Sequence, residues 1–213
     1  MREYRLPELT ADVIALADQL GRERIFLAGH DWGAGVAWNT AIRHPERIEK
    51  LAILNVPHPA VMLRFLKTNP RQMLRSWYML FFQIPRLPEF LFSARNFDGG
   101  VRALIRSSRP GTFSPEDIDR YREAWAQPGA LTAMINWYRA LSRELPAAVE
   151  SRVSVPTRIL WGEKDDFLLS AMAAESVKYC DNGELFEFPG ATHWLHHEQP
   201  ERVNELLIDF FLH

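Results

Sequence analysis

The chain has 213 residues, of which 47% are hydrophobic and 24% charged, with a formal charge of -2. That apolar fraction supports a sizeable core and excludes a disordered chain, while the near-neutral charge lacks the basic footprint of a nucleic-acid binder. Cys180 is the only cysteine, which excludes an internal disulfide and a cysteine-built zinc site.

In chain order, the start Met1-Arg2-Glu3-Tyr4-Arg5 lacks the apolar stretch of a signal peptide. No run approaches the roughly 20 apolar residues of a membrane span, so the expected compartment is the cytoplasm. Leu9, Val13, Leu16, Ala17 and Leu20 recur at helical spacing, predicting a helix over 7–20 that stops at Gly21. Ile25-Phe26-Leu27-Ala28 reads as a strand (24–29) buried on both faces. Gly33 and Gly35 then open a second helix, which ends near His44-Pro45, and Leu51–Val56 is the next buried strand. Strands alternating with helices imply a parallel sheet with right-handed crossovers.

From Pro57 to about Glu150 the apolar runs have helical spacing and are punctuated by prolines. Ser114-Pro115-Glu116-Asp117 is a helix start with a capping serine and early acids. This stretch predicts a helical insertion whose aromatic segment Tyr78–Phe92 packs against the core instead of touching lipid. Strand-helix texture returns with a strand over 157–162, a helix over 172–179, a strand over 184–188 and a helix over 201–212. The domain division is therefore a core of 1–56 and 151–213 around a cap of 57–150.

Gly29-His30-Asp31-Trp32-Gly33 stands between a buried strand and a helix. This is the context of a nucleophile elbow, with aspartate where serine is usual. On the motif alone Asp31 could instead be a helix cap. Asp165 in Trp161-Gly162-Glu163-Lys164-Asp165 and His193 in Gly190-Ala191-Thr192-His193-Trp194 each follow a later strand. Nucleophile, acid and base thus fall in chain order at the carboxyl edge of one sheet, where open α/β sheets place their sites. Singly, Asp165 reads as a solvated acidic turn and His193 as a surface histidine; together they read as a triad. His196 and His197, without a paired carboxylate pattern, read as surface residues and not metal ligands.

With these motifs the chain resembles the α/β-hydrolase superfamily and, within it, the epoxide hydrolases. The likeness runs end to end, through the elbow, the Asn55-Val56-Pro57-His58-Pro59 exit into the cap, the acid turn and the His193-Trp194 pair. Trp77–Gln83 and Asn136-Trp137-Tyr138-Arg139 resemble the two cap tyrosine segments of that family. The resemblance implies that Tyr78 and Tyr138 activate an epoxide, where otherwise they would be packing aromatics.

It further implies that Asp31 forms an alkyl ester, that His193, oriented by Asp165, activates a water, and that no cofactor or metal takes part. Trp32 would supply an oxyanion N–H, with His30 on the same oxyanion or substrate-binding side. The expected substrate is a small apolar epoxide and the product a vicinal diol. Relatives carry a His-Gly-x-Pro loop and further strands before the elbow, and neither is found in the 30 residues preceding Asp31. The expected fold is therefore a truncated α/β-hydrolase core of about four parallel strands plus a helical cap. Its strand over 24–29 would form an edge, open to self-association or to a partner supplying the missing segment. Two alternatives remain: a haloalkane or haloacid dehalogenase, which uses the same aspartyl ester, and an inactive fragment that needs a partner.

Overall fold

Parallel strands need long crossovers, and the helices between the apolar runs supply them. The computed structural model describes residues 2–141 and 151–213. Four strands, β1 (Ile25–His30), β2 (Ile48–Leu54), β3 (Thr157–Gly162) and β4 (Gly183–Phe188), lie side by side in that order, all parallel. β2 begins and ends earlier than the sequence pattern suggested. Ile48 is fully buried and pairs with Ile25, and Asn55 turns to φ 52°, which ends the extended chain.

β3 is buried along its whole length, whereas β1 alternates between part-buried and exposed residues. β1 pairs only with β2 among the described residues. Its apolar run, expected to be covered on both faces, therefore leaves Phe26 44% exposed, with one ring face stacked on Phe211 at 5.2 Å.

Helices α1 (Leu6–Gln19) and α2 (Trp32–Arg43) pack together beside β1 and β2. A buried hydrogen bond from Asn39 to the Thr10 hydroxyl (2.7 Å) joins them. Trp38, Leu51, Ile53, Ile159 and Trp161 form the core on that side of the sheet. Leu54, Leu160, Leu195, Val203 and Leu206 form it on the other. Burying each such side chain contributes roughly 1.5–3 kcal/mol.

The insertion is helical, as the periodicity predicts: α3 (Pro59–Thr68), α4 (Pro70–Arg75), α5 (Trp77–Phe81), α6 (Leu87–Arg106), α7 (Pro115–Ala126) and α8 (Ala130–Leu141). α6 is broken at Ala94–Phe97, where three consecutive residues take positive φ. α7 starts on a reciprocal capping box between Ser114 and Asp117. Val101, Leu104, Ile118 and Trp125 give the cap its own small core. The expected cap boundary at residue 150 falls within 142–150, outside the described residues. Tyr78–Phe92 does not all pack inward as expected: Phe82 and Phe92 line an internal cavity, while Phe90 and the adjoining Trp77 are exposed. α9 (Ala171–Val177), α10 (Leu195–Glu198) and α11 (Pro200–Leu212) complete the core. Among the described residues no helix is long and apolar enough to cross a membrane.

Candidate active site

The chain turns from β1 into α2 within a single residue, Asp31, whose backbone takes φ 50° and ψ -128°. Such a conformation is uncommon outside glycine and marks a strained position. The turn is possible because Gly29 has no side chain: a Cβ there would lie 2.6 Å from the Gly33 carbonyl oxygen and 2.7 Å from Ala34. Gly33, by contrast, faces open space. Although Asp31 precedes α2, its side chain makes no capping hydrogen bond. Its side chain opens onto a cavity between core and cap, and its accessible surface lies inside that cavity. Burial beneath the cap raises its pKa, while the His193 charge and the Trp32 backbone N–H pull the other way.

His193 lies in the loop between β4 and α10. Its Nδ1 lies 2.7 Å from Asp165 Oδ2, and its Nε2 lies 3.8 Å from Asp31 Oδ1. The second distance exceeds a hydrogen bond and allows a water to reach both groups. Burial disfavours the imidazolium, but the Asp165 charge and hydrogen bond, with Asp31 adding to them, outweigh it and raise the His193 pKa. Asp165 is itself buried. Its Oδ1 accepts from the backbone N–H groups of Phe167 (2.7 Å) and Leu168 (3.0 Å), and its Oδ2 accepts from Asn55 Nδ2 at 2.7 Å.

Asn55, read in the sequence only as part of the exit into the cap and assigned no role there, ties the end of β2 to the end of β3. Beside the bond to Asp165, its Oδ1 accepts from the Gly162 N–H at 2.8 Å. A Cβ on Gly162 would lie 2.1 Å from the Thr192 carbonyl oxygen, so the tips of β3 and the His193 loop meet without a side chain between them. Glu198, also missed, accepts from the Thr192 N–H and hydroxyl, both at 2.7 Å, and from the Arg109 N–H of the cap at 2.8 Å. An asparagine at the end of a buried strand, where left-handed backbone suits it, was the available signal for the first. Nothing local marks the second.

Tyr78 and Tyr138 come down from the cap with ring centroids 5.7 Å apart, and both line the cavity with Asp31 and His193. Burial raises the pKa of both phenols; Tyr138 adds to the rise at Tyr78, and Asp31 to that at Tyr138. Trp32 meets Tyr138 edge-on at 4.9 Å. Gln83 donates to the Tyr138 carbonyl (3.0 Å), and Arg139 donates to the carbonyls of Phe82 and Ile84 and pairs with Glu89 at 2.6 Å. The segment after Tyr78 is thereby laced to the helix that carries Tyr138.

His30 is placed elsewhere than the sequence suggested. It does not line the cavity; its Nε2 lies 2.8 Å from the His193 carbonyl oxygen and so donates to it. The ring packs 4.6 Å from His193 and 4.2 Å from His196. Burial and the neighbouring imidazoles push its pKa down to about 2. His196, expected at the surface, is part-buried in the same cluster, and burial lowers its pKa to about 4.

The cavity has a volume of about 650 Å³. Leu131, Met134, Ile135, Phe92 and Trp125 give it largely apolar walls. The Asp31 carboxylate and His193 stand on the core side and the two phenols on the cap side. That geometry suits attack at carbon with proton delivery to a leaving oxygen.

Residues 2–200 match the α/β hydrolase fold family. The chain is 44% identical over 207 residues to the AB hydrolase superfamily protein YfhM of Bacillus subtilis (strain 168), an alignment covering 97% of this chain and 72% of that protein. It is 39% identical over 214 residues to Epoxide hydrolase 4 of Mus musculus, covering 97% of this chain and 59% of that longer protein. Among solved structures, an epoxide hydrolase of Bacillus megaterium crystallised with an inhibitor superposes with a TM-score of 0.88 at 27% identity. That superposition takes in 100% of this chain and 78% of the other.

Proposed function

The chain belongs to the α/β-hydrolase fold family, and we propose that within it the chain opens an apolar epoxide to a vicinal diol through an ester on Asp31. The observation that carries this reading is the pair of phenols, Tyr78 and Tyr138, set in one cavity with Asp31 and His193. A carboxylate is a suitable nucleophile for a saturated carbon. Attack forms an Asp31 O–C bond, breaks one epoxide C–O bond and draws a phenol proton onto the departing oxygen. Because both phenols are held above their ordinary pKa of about 10, they keep that proton until the alkoxide develops.

In the second half, His193 Nε2 takes a proton from a water that adds to the Asp31 carboxyl carbon, while Asp165 stabilises the imidazolium. The Trp32 backbone N–H meets the oxyanion. The diol leaves, and the proton on His193 restores the phenol.

A dehalogenase shares the ester step, but departing halide needs no proton, so the phenol pair favours the epoxide. One turnover of styrene oxide in ¹⁸O-labelled water tests both ideas, with mass spectrometry of the Asp31 peptide. Label in that peptide together with diol is expected, and neither with Asp31→Asn. Diol without label in the peptide overturns the ester; halide from a haloalkane without diol from the epoxide overturns the substrate class.

The edge of β1, which among the described residues pairs only with β2, supports a further part of this reading, pairing with a second copy or a partner strand. Sedimentation velocity across a concentration series is expected to show self-association, and a monomer throughout counts against pairing with a second copy.

A further inference from the structure

The outer face of the cap is apolar in a way the catalytic reading does not need. Over α4, α5 and the start of α6, Leu74 is 74% exposed, Trp77 63%, Leu80 77% and Phe90 68%. Ile84 and Leu91 extend the same stretch. Contiguous exposure of this kind marks an interaction surface. It also runs into the cavity, because Leu74, Trp77 and Met134 are both exposed and part of the cavity wall. The patch is therefore the rim of the cavity's mouth.

Its charge identifies the partner. The whole chain carries -2, yet residues 64–106 hold eight Lys/Arg against two Asp/Glu. Of those two acids, Glu89 is paired with Arg139 and Asp98 with Arg102. Lys67, Arg71, Arg86 and Arg95 are exposed beside the apolar side chains. Exposed apolar and aromatic side chains in a segment whose exposed Lys67, Arg71, Arg86 and Arg95 have no ion pair among the described residues suit a surface that is apolar inside and anionic outside. A second copy of this face would set like charges against one another. No described helix can cross a bilayer, so contact would be peripheral.

We propose that this cap face docks on an anionic phospholipid surface, so that a lipophilic substrate passes from the bilayer into the cavity without crossing water. The identity of that substrate as an epoxide rests on the reading above; the docking does not.

Sedimentation of the full chain with phosphatidylcholine vesicles, with and without phosphatidylserine, tests it. Binding about tenfold stronger to the anionic vesicles, weakened by salt, is expected. Leu80→Ser with Phe90→Ser, at positions outside the cavity wall, is expected to reduce binding about tenfold while leaving turnover of a water-soluble epoxide unchanged. Arg71→Glu with Arg86→Glu gives an independent loss that spares the apolar contacts. Equal binding to both vesicle types, or binding that neither pair of substitutions alters, overturns the proposal. Self-association abolished by Leu80→Ser with Phe90→Ser, without vesicle binding, also overturns it and makes the occupant a second copy. Vesicle binding by a protein that forms no diol supports docking and sinks only the epoxide reading.

Discussion

Asn55 bears on the proposed mechanism although it lies outside the triad that mechanism uses. Its amide donates to the Asp165 carboxylate, and its carbonyl accepts from Gly162, so Asn55→Ala unsatisfies two buried groups at once. The expected cost is about 2 kcal/mol in denaturant unfolding, with ester hydrolysis slowed about tenfold in single-turnover measurements. The pH dependence follows from the shifted groups. On the proposed mechanism His193 must be neutral to accept a proton, and its pKa is raised. Hydrolysis of the ester should therefore climb with pH through a value above the ordinary ~6.5. The phenols, shifted upward, should cause no alkaline loss below about pH 10. Pre-steady-state rates across pH check both limbs.

Stability should move with pH through other imidazoles. His30, His58 and His196 are held neutral in the folded chain, at about 2, 4 and 4, chiefly by burial. The unfolded chain binds more protons on them below about pH 6.5, so stability is lost on acidification from there, by up to roughly 1.4 kcal/mol per pH unit for each group. Urea midpoints between neutral and mildly acidic pH measure it. His193 contributes with the opposite sign, its share being lost as pH rises through its raised value. At this scale the sequence singled out Asp31 in the elbow and the two cap tyrosines, which the fold brings to one cavity. It concealed Asn55, Glu198 and the orientation of His30, because their partners are backbone groups of loops that only the fold brings together.

The elbow is where one element passes into the next, and its two glycines are not equivalent. Gly29→Ala would drive a Cβ into the backbone of Gly33 and Ala34 and is expected to unfold the elbow or abolish activity. Gly33→Ala meets nothing within 4 Å and should be near neutral. Thermal melts and turnover of the two variants separate them. Helices and strands were legible from periodicity, and even the capping box of α7 was readable from Ser114 and Asp117. β2 was misplaced at its ends because Asn55-Val56 continues the apolar texture while the backbone at Asn55 does not continue the strand. Half-coverage of β1 was hidden because apolar content does not report how many neighbours a strand has.

Taken as a whole, the molecule divides its chemistry between two bodies, with charge-bearing groups on the sheet and phenols on the insertion. Gln83 and Arg139 stitch the segment following Tyr78 to the helix of Tyr138. These bonds tie the two phenols to one unit of the cap, so a displacement of that unit as a whole would keep the spacing between them. What such a displacement would alter is the gap between the phenols and Asp31, the separation that an epoxide would span on the proposed mechanism. On the proposed mechanism, a cap drawn away from the core would free the product and leave Asp31 without acid within reach of the epoxide oxygen. Closure would then be a condition for that reaction as well as for exclusion of water.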